Sequence, residues 1–471
     1  MPVNALHADE RPNVLFFFAD DQPFNTLGCT GNTIAQTPSI DAIAQRGVIF
    51  DNAYIMGGTS PAVCSPSRAM LFSGRTLWNL DNQGMWGFEI SDKYITFPQV
   101  FKDAGYTTWA TGKNEPGKAG HFLRSFSAGD KILFRGMTRS QYNMPLFSYP
   151  ADGTFKGKKP VTHRDKHSAE IYADATINFL QNRAEDAPPF FAYVAFQTPH
   201  DPRQSPPAFR ERYRDEEMPL PKAYMPTHPF DNGMLKIRDE KLAGFPRTKE
   251  EIKTHLADFY ATMEHTDTQI GRVLDALEKS GELDNTIIVY TADNGLALGS
   301  HGLVGKQNVY DHSVHVPLII AGPGIPKAQR REQLAYIYDL IPTLIERANL
   351  TTPDTVQFKS LNKAIDDADA PHRAHLTYAF MDWQRAIQKD GYKLIEYCVN
   401  GDRHTQLFHL ANDRHELNNL ANEATQAERL ATLRNLLRTE SKRLNDGNTP
   451  SEFTTKMGKS FWQTFFGRPM P

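Results

Sequence analysis

A cysteine at the start of a short predicted helix is the clearest candidate for chemistry in this sequence. Cys64 opens the run CSPSR, Arg68 lies one helical turn further on, and Gly74 is placed to end the helix that residues 67–72 would form. Unpaired backbone N–H groups at a helix start, together with a guanidinium, lower the pKa of a thiol and attract anions. Cys64 is therefore a candidate nucleophile. The alternative is a buried structural cysteine, since free cysteine is among the most buried residue types.

Polar side chains also follow four predicted strands. The apolar runs at 13–19, 106–110, 190–196 and 286–290 are typical of strands that are buried on both faces. The candidate groups at their ends are Asp20, Asp21, Lys113, His200, Asp293 and Asn294. Because helices alternate with these strands, a mostly parallel sheet would bring the strand ends to one edge. Turn or cap roles for the paired Asp, and a hairpin turn at Asn294–Gly295, are the alternatives.

These residue types suit the hydrolysis of an anionic ester. The carboxylates and Asn294 offer only oxygen ligands, which favours Ca²⁺ or Mg²⁺ over zinc. The cation, Arg68, Lys113 and Lys306 would neutralise charge on the ester oxygens. His200 would donate a proton to the departing alkoxide, because imidazole titrates near neutrality.

The pattern of elements predicts an α/β protein with a large sheet flanked by helices. Residues 248–279 are expected to form one long helix or two, and 201–247, rich in Pro, Arg and Glu, an irregular excursion over the surface. After about residue 365 the pattern changes to short antiparallel strands and a helix from about 423 to 444. We therefore expect a catalytic domain over 1–365 and a smaller α+β subdomain over 366–471.

Composition excludes several classes of protein. The 471 residues carry a net charge of −3, which gives little support to a nucleic-acid partner. No apolar run approaches the ~18 residues that span a bilayer. Locally, residues 113–167 hold eleven Lys or Arg against four Asp or Glu, which suggests either a solvated face or a surface that meets an anionic substrate.

The motifs around these residues resemble those of the type I sulfatases. The run from Cys64 to Arg75 resembles the family signature, and PNVLFFFADDQ resembles its opening strand with paired metal-binding Asp residues. TADNGLALGSHGLVGKQNVYDHSVHVPLI resembles the second metal motif, which includes Lys306. GKN at 112–114 matches the start of the Gly-Lys-x-His motif, and QLFHLANDRHELNNLA resembles the C-terminal signature. The resemblance covers most of the chain.

This resemblance implies an alkaline-phosphatase-like fold and a sulfuric ester hydrolase. It implies one calcium ion, with ligands from Asp20, Asp21, Cys64, Asp293 and Asn294. It also implies that a formylglycine-generating enzyme converts Cys64 to formylglycine, an aldehyde whose hydrate attacks sulfur and then releases sulfate. Two segments, QTPHDPRQSP and GKQNVYDHS, are similar to segments of bacterial carbohydrate sulfatases. The expected substrate is therefore a sulfated polysaccharide or its oligosaccharides.

One position departs from the family pattern. Where the family has a histidine two residues after the lysine, this chain has Glu115, within GKNEPGKAGH. Three alternatives are open: Glu115 acts as the base in place of the histidine, His121 takes over this role, or turnover is impaired. His301 and Arg124 are further candidates for substrate contact, with an ordinary loop role as the alternative for His301.

Two other functions remain open from sequence alone. The first is hydrolysis of phosphonate or phosphate esters, and the second is binding of sulfated glycans by a degenerate sulfatase, which the Glu115 departure motivates. An aryl sulfate or choline sulfate is also a possible substrate. The N-terminus lacks the apolar core of a signal peptide, and Ala-Leu-His-Ala resembles the end of a cleaved leader, so a periplasmic or secreted location is expected. Cys29 and Cys398 would pair or stay free.

Overall fold

The predicted strand ends lie on a large central sheet. A computed structural model of the chain describes residues 11–80, 83–84, 87–88, 90–114, 119–149 and 159–446, and within these ranges it contains a ten-stranded sheet, a five-stranded sheet and a two-stranded sheet. The strands are β1 (Asn13–Asp20), β2 (Gly47–Tyr54), β3 (Gly57–Gly58), β4 (Gln83–Gly84), β5 (Gly87–Phe88), β6 (Thr107–Lys113), β7 (Ala128–Leu133), β8 (Met144–Tyr149), β9 (Val161–His163), β10 (Phe190–Pro199), β11 (Thr286–Ala292), β12 (Leu318–Ala321), β13 (Gln329–Tyr336), β14 (His375–Phe380), β15 (Gln384–Lys389), β16 (Tyr392–Val399) and β17 (Asp402–His409).

Helices follow most of these strands. They are α1 (Pro38–Gln45), α2 (Cys64–Ser73), α3 (Phe97–Asp103), α4 (Ala119–Ser125), α5 (Ser168–Gln181), α6 (Pro207–Arg210), α7 (Lys249–Lys279), α8 (Asp311–Val314), α9 (Leu340–Arg347), α10 (Asn362–Asp366) and α11 (Ala427–Arg443). Among the helices in the described ranges, none has both the length and the hydropathy needed to cross a membrane.

The large sheet runs in the order β13-β2-β12-β11-β1-β10-β6-β7-β8-β9. Its centre, from β11 through β1 and β10 to β6, is parallel, whereas β12, β8 and β9 are antiparallel to their neighbours. The prediction of a mostly parallel α/β sheet is thus confirmed. The edge strand β13 lacks the apolar sequence pattern of a buried strand, because three of its first six residues are charged and its exposed side is polar.

Helices cover both faces of β1, which explains its unbroken apolar sequence. All eight residues of this strand are buried. The ring of Phe16 packs against Phe97 of α3, while Phe17, on the opposite face, stacks on Phe196 of β10, which in turn contacts Tyr172 of α5. Consecutive side chains of a strand point to opposite faces, so both faces need an apolar cover.

The second sheet has the order β17-β16-β15-β14-β3. Its first four strands form an antiparallel meander, and α11 packs on them through the leucines at 430, 433 and 437. The smaller C-terminal sheet predicted from the sequence is therefore present. Its fifth strand, β3, comes from residues just before α2 and pairs in parallel with β14. The division of the chain at residue 365 stays a prediction.

Candidate active site

Four neighbouring strands end together at one edge of the large sheet. In β11, β1, β10 and β6, Ala19 pairs with Ala292 and Ala195 pairs with Gly112. The polar groups that follow these strands are all buried: Asp20, Asp21, Lys113, His200, Asp293 and Asn294. Parallel strands present their carboxyl ends at the same edge, and this brings side chains from positions 20 to 294 into one pocket.

The backbone at Asp21 lets two consecutive carboxylates enter this pocket. Asp20 is the last residue of β1, and Asp21 has a φ of 64°, in the left-handed region that non-glycine residues seldom adopt. An extended residue at 21 would send its side chain to the opposite face from Asp20. The amide nitrogen of Asp21 donates to Asp293 Oδ1 at 3.2 Å, and Asn294 Nδ2 donates to Asp21 Oδ1 at 2.7 Å. These bonds hold β1 and β11 together where both strands end.

Helix α2 places Cys64 at its first position, as predicted. All ten residues of α2 are buried, and Gly74, with a φ of 68°, accepts the left-handed conformation that ends the helix. Cys64 is 3% exposed. Arg68, one turn later, lies on the same side of the helix and is fully buried. Its guanidinium stands over the ring of Phe18, 4.7 Å from the centroid, and Nη1 donates to Tyr193 Oη at 3.2 Å.

Three carboxylates and three cationic side chains pair within the pocket. The ion pairs are Arg68 Nε with Asp293 Oδ2 at 2.8 Å, Lys113 Nζ with Asp20 Oδ2 at 2.6 Å, and Lys306 Nζ with Asp21 Oδ1. The structure thus brings together every predicted charge-neutralising residue. With all six groups ionised their charges sum to zero, so one divalent cation would give the pocket the positive charge that an anionic ligand needs.

The pKa values of the carboxylates reflect their burial and their neighbours. Burial would raise the pKa of Asp20, but Lys113, followed by His200, Lys306 and Arg68, lowers it below the usual range. Burial raises the pKa of Asp293, and the negative charge of Asp20 raises it further, against the effect of Arg68. Two carboxylates that repel each other in a buried pocket favour an additional cation beside them.

The donor atoms fit a hard divalent cation. Among the described residues, Asp20 Oδ1 and Asn294 Oδ1 are buried and have no hydrogen-bond partner. Leaving a buried acceptor unpaired costs about 1–3 kcal/mol, which a bound ion would offset. Ligand atoms of Asp20, Cys64 and Asp293 lie within 4.8 Å of one another. Carboxylate and amide oxygens are the ligands that Ca²⁺ and Mg²⁺ prefer.

His200 is oriented by the loop that follows β10. Its Nδ1 donates to the backbone oxygen of Asp201 at 2.7 Å, because a carbonyl can only accept, and Nε2 is the ring nitrogen left to interact with the pocket. Nε2 lies 3.7 Å from Asp21 Oδ2. The Asp201 carboxylate is 3.4 Å from Nδ1 and is bonded to Arg238, which also contacts Asp239 at 2.9 Å. Contacts among charged side chains thus connect His200 to the 201–247 excursion.

The other sequence candidates have different contacts in the structure or lie outside the described residues. His121 is buried, with Nε2 3.5 Å from Asn114 Nδ2 and its ring against Phe72. Arg124 donates to backbone oxygens of residues 90 and 94. His301 stacks on Tyr310 and donates from Nε2 to the backbone oxygen of residue 416 at 3.0 Å. Substrate contact by these three residues stays a prediction, and Glu115 lies outside the described residues.

Sequence reasoning missed a set of residues that support the pocket. Tyr193 contacts Arg68, and Gln307 donates from Nε2 to Asp239 Oδ2 at 2.6 Å and to the backbone oxygen of Pro61 at 2.9 Å. Gln307 thereby connects the Lys306 loop to the segment that enters α2. The polar Tyr193 within an apolar strand was a usable signal, whereas Asp239 lies in a stretch without periodicity. Cys29, Cys64 and Cys398, all within the described residues, form no disulfide bond.

Comparisons with known proteins agree with this geometry. Residues 12–350 match the sulfatase family, and residues 299–443 match the C-terminal family of N-sulphoglucosamine sulphohydrolase. An arylsulfatase from Clostridium perfringens is 28% identical over 93% of this chain and 96% of its own length. An N-acetylglucosamine-6-O-sulfatase from Bacteroides thetaiotaomicron is 26% identical over 96% of this chain and 89% of its own length.

A solved structure described as a complex with its substrate D-glucosamine-2-N,6-O-disulfate has the same fold. It is 26% identical, has a TM-score of 0.76, and covers 93% of this chain and 98% of its own. The sulfatase match spans well over half of the chain and includes every strand end of the pocket. The chain therefore belongs to the sulfatase family, in the type I group of the alkaline phosphatase superfamily, and is an enzyme that hydrolyses sulfate esters.

Proposed function

We propose that this sulfatase removes sulfate from a sulfated carbohydrate, with formylglycine formed from Cys64 as the nucleophilic residue and a calcium ion in the pocket. The observation that carries the proposal is the arrangement of three buried cations, Arg68, Lys113 and Lys306, around the start of α2. A sulfate ester carries one negative charge and gains more on its leaving oxygen as the S–O bond breaks. Buried cations stabilise such charge far better than exposed ones.

Each residue of the pocket has a role in this proposal. Lys113 and Lys306 hold the sulfate oxygens, and Arg68 positions residue 64 and balances the charge of Asp293. His200, with Nδ1 committed to Asp201, holds a proton at Nε2 and transfers it to the departing sugar oxygen. The hydrated aldehyde at residue 64, made by a formylglycine-generating enzyme, would supply the oxygen that attacks sulfur.

Asp20, Asp21, Asp293 and Asn294 would hold the calcium ion beside residue 64. When bound, the ion would polarise the sulfate oxygens and favour the anionic form of the nucleophile. The unpartnered oxygens of Asp20 and Asn294 support this assignment. Calcium fits better than zinc because the chain supplies oxygen ligands here.

A sugar sulfate as substrate is supported by the relatives. One is named for N-acetylglucosamine 6-O-sulfate hydrolysis, and the structural neighbour is described with glucosamine disulfate. We extend this to an oligosaccharide derived from a sulfated polysaccharide. A charged polymer does not cross a membrane unaided, so a periplasmic or extracellular location forms part of the proposal.

The test is sulfate release from a panel of sulfated mono- and oligosaccharides. The protein is produced together with a formylglycine-generating enzyme, and mass spectrometry of the Cys64 peptide gives the converted fraction. We expect release from a sulfated sugar in proportion to that fraction, and none from Cys64→Ala. Cys29→Ala, which alters a free cysteine outside the pocket, is the matched control and should keep its activity.

Two results would contradict the proposal. One is full conversion of Cys64 with no release from any sugar sulfate while an aryl sulfate is cleaved, which would remove the carbohydrate assignment. The other is faster release of phosphonate or phosphate than of sulfate from matched aryl esters, which would change the reaction class.

A further inference from the structure

Arg203 has an unpaired guanidinium edge close to the candidate active site. It lies three residues after His200, in the loop that follows β10. Its Nη1 is 3.2 Å from Nδ1 of His255, on α7. Nε2 of His255 donates to the backbone oxygen of residue 242 at 3.1 Å, so Nδ1 of this ring is the acceptor for Arg203. Arg203 is half-buried as a residue, and its Nε and Nη2 atoms are buried and have no hydrogen-bond partner in the part of the chain that the structure describes.

The other arginines of the 201–247 excursion contrast with Arg203. Each of them forms an ion pair with a carboxylate: Arg210 with Asp215 and Asp258, Arg212 with Glu264, Arg214 with Glu217, Arg238 with Asp201, and Arg247 with Glu240. An unpaired buried cation is costly, and natural structures seldom keep one without a ligand or a functional reason. Arg203 is therefore the arginine of this segment whose buried donors are not paired with a carboxylate of the described residues.

The unpaired atoms form the edge of the guanidinium that binds oxyanions. Nε–H and one N–H of Nη2 point in parallel and accept two oxygens of a carboxylate or a sulfate in a bidentate pair. Nη1, on the other side, is held by α7 through His255. The helix thus fixes the guanidinium, while its bidentate edge is buried without a partner among the described residues.

Arg203 shares charged neighbours with the residues of the pocket. Burial lowers its pKa, and the carboxylates of Asp201, Asp21, Asp258 and Asp239 oppose this in that order. Asp21 is paired with Lys306, and Lys306 and His200 both act on Asp239. Arg203 therefore shares two charged neighbours with the residues proposed to hold the sulfate.

We propose that Arg203 binds a second oxyanion of the sugar substrate, beside the sulfate that is removed. This rests on the proposed function and deepens it, because the preferred substrate is then a sugar with two negative groups. The second group is either another sulfate or the carboxylate of a uronic acid, which share the paired oxygens that the guanidinium edge takes.

The experiment compares matched pairs of substrates that differ in the second anion. For a second sulfate, the pair is glucosamine-2-N,6-O-disulfate and N-acetylglucosamine 6-O-sulfate. For a carboxylate, the pair is a sulfated uronic acid and its methyl ester. Wild type, Arg203→Gln, Arg203→Lys and the control Arg214→Gln are assayed for kcat/KM on each substrate. Activity on an aryl sulfate shows whether the pocket of each variant is intact.

We expect wild type to prefer the doubly anionic member of one pair, and that pair identifies the second group. Arg203→Gln should lose about 100-fold in kcat/KM on this member and less than about 3-fold on its partner and on the aryl sulfate, as expected for loss of two charge-assisted hydrogen bonds. Arg203→Lys should fall between, because an ammonium keeps the charge without the bidentate edge. Arg214→Gln, which alters an exposed ion pair with Glu217, should match wild type.

Equal losses on both members of each pair in Arg203→Gln would overturn the inference, since they would indicate a structural role. Absence of any preference in wild type would also overturn it. If wild type releases no sulfate from any sugar, the proposed function fails instead. In that case calorimetric binding of the same pairs to Cys64→Ala and to Cys64→Ala/Arg203→Gln still tests the Arg203 site.

Discussion

Replacing Gly112 with alanine should damage both stability and activity, and the structure allows the size of the effect to be worked out. Gly112 precedes Lys113 at the end of β6 and has a φ of 86°. A Cβ built on Gly112 would lie 1.9 Å from the backbone oxygen of Ala195, on the neighbouring strand β10. Since Cβ atoms are essentially never found within 3.0 Å of such an atom, β6 and β10 would have to separate by more than 1 Å.

Gly105→Ala isolates the part of the destabilisation that comes from the left-handed backbone conformation. Gly105 has nearly the same φ, 87°, but a Cβ there would meet nothing within 4 Å. We expect Gly105→Ala to lower the free energy of unfolding by about 1–2 kcal/mol, the cost of a left-handed alanine. Gly112→Ala should lose about 2–5 kcal/mol, because the forced strand separation adds roughly 1–3 kcal/mol to the cost of the left-handed alanine.

The assay combines urea unfolding at 25 °C with sulfate release. Strand separation would move Lys113 away from Asp20, now 2.6 Å distant, and a misplacement of about 1 Å in an active site can cost about 100-fold in rate. Gly112→Ala should therefore lose about 100-fold in kcat/KM per folded molecule, and Gly105→Ala should retain wild-type activity. Equal stabilities and activities for the two variants would refute the argument.

Three further predictions concern single groups. Asp201→Asn should lower the free energy of unfolding by about 2 kcal/mol at pH 7, because Arg238 and His200 outweigh burial and lower the pKa of Asp201 to about 2. A depressed carboxyl pKa stabilises the fold above the unfolded value of 3.8 and loses this effect as pH falls toward 2, so the difference should shrink to about 1 kcal/mol at pH 3 in urea titrations. Calcium at about 100 times its Kd should stabilise wild type by about 2.7 kcal/mol in thermal unfolding, and Asn294→Ala should respond more weakly at the same concentration. His301→Ala should lower the free energy of unfolding by about 2 kcal/mol, because it removes the stack on Tyr310, and should change KM by less than about 2-fold. A large rise in KM would instead support substrate contact by His301.

Much of the fold was predictable because buried parallel strands have a simple sequence pattern. The runs that became β1, β10 and β11 are almost purely apolar and stop at a polar residue, so their ends marked the pocket directly. The helix at Cys64 was predictable from its glycine stop. The C-terminal meander was predictable from short alternating segments, although α11 begins at Ala427, four residues later than expected.

The remaining features depend on contacts between distant segments that have no local pattern. The 201–247 excursion carries Arg203, Arg238 and Asp239, yet nothing in its composition indicates that it lies against the pocket. The participation of β3 in the C-terminal sheet involves two glycines, which carry no side-chain pattern at all. The role of Tyr193 follows from its proximity to Arg68, a residue 125 positions away.

The burial of Cys64 sets an order of events during synthesis. An enzyme that modifies this thiol needs to reach it, and in the folded protein the residue is 3% exposed. The strand β3, just before the cysteine, completes its pairing only when β14 has been made, more than 300 residues later. At about 5–20 residues per second, translation leaves Cys64 in an incomplete fold for about 15–60 s. Under the proposed modification of Cys64, the fraction of active molecules would depend on whether modification or folding is faster, and slower translation or folding should raise this fraction.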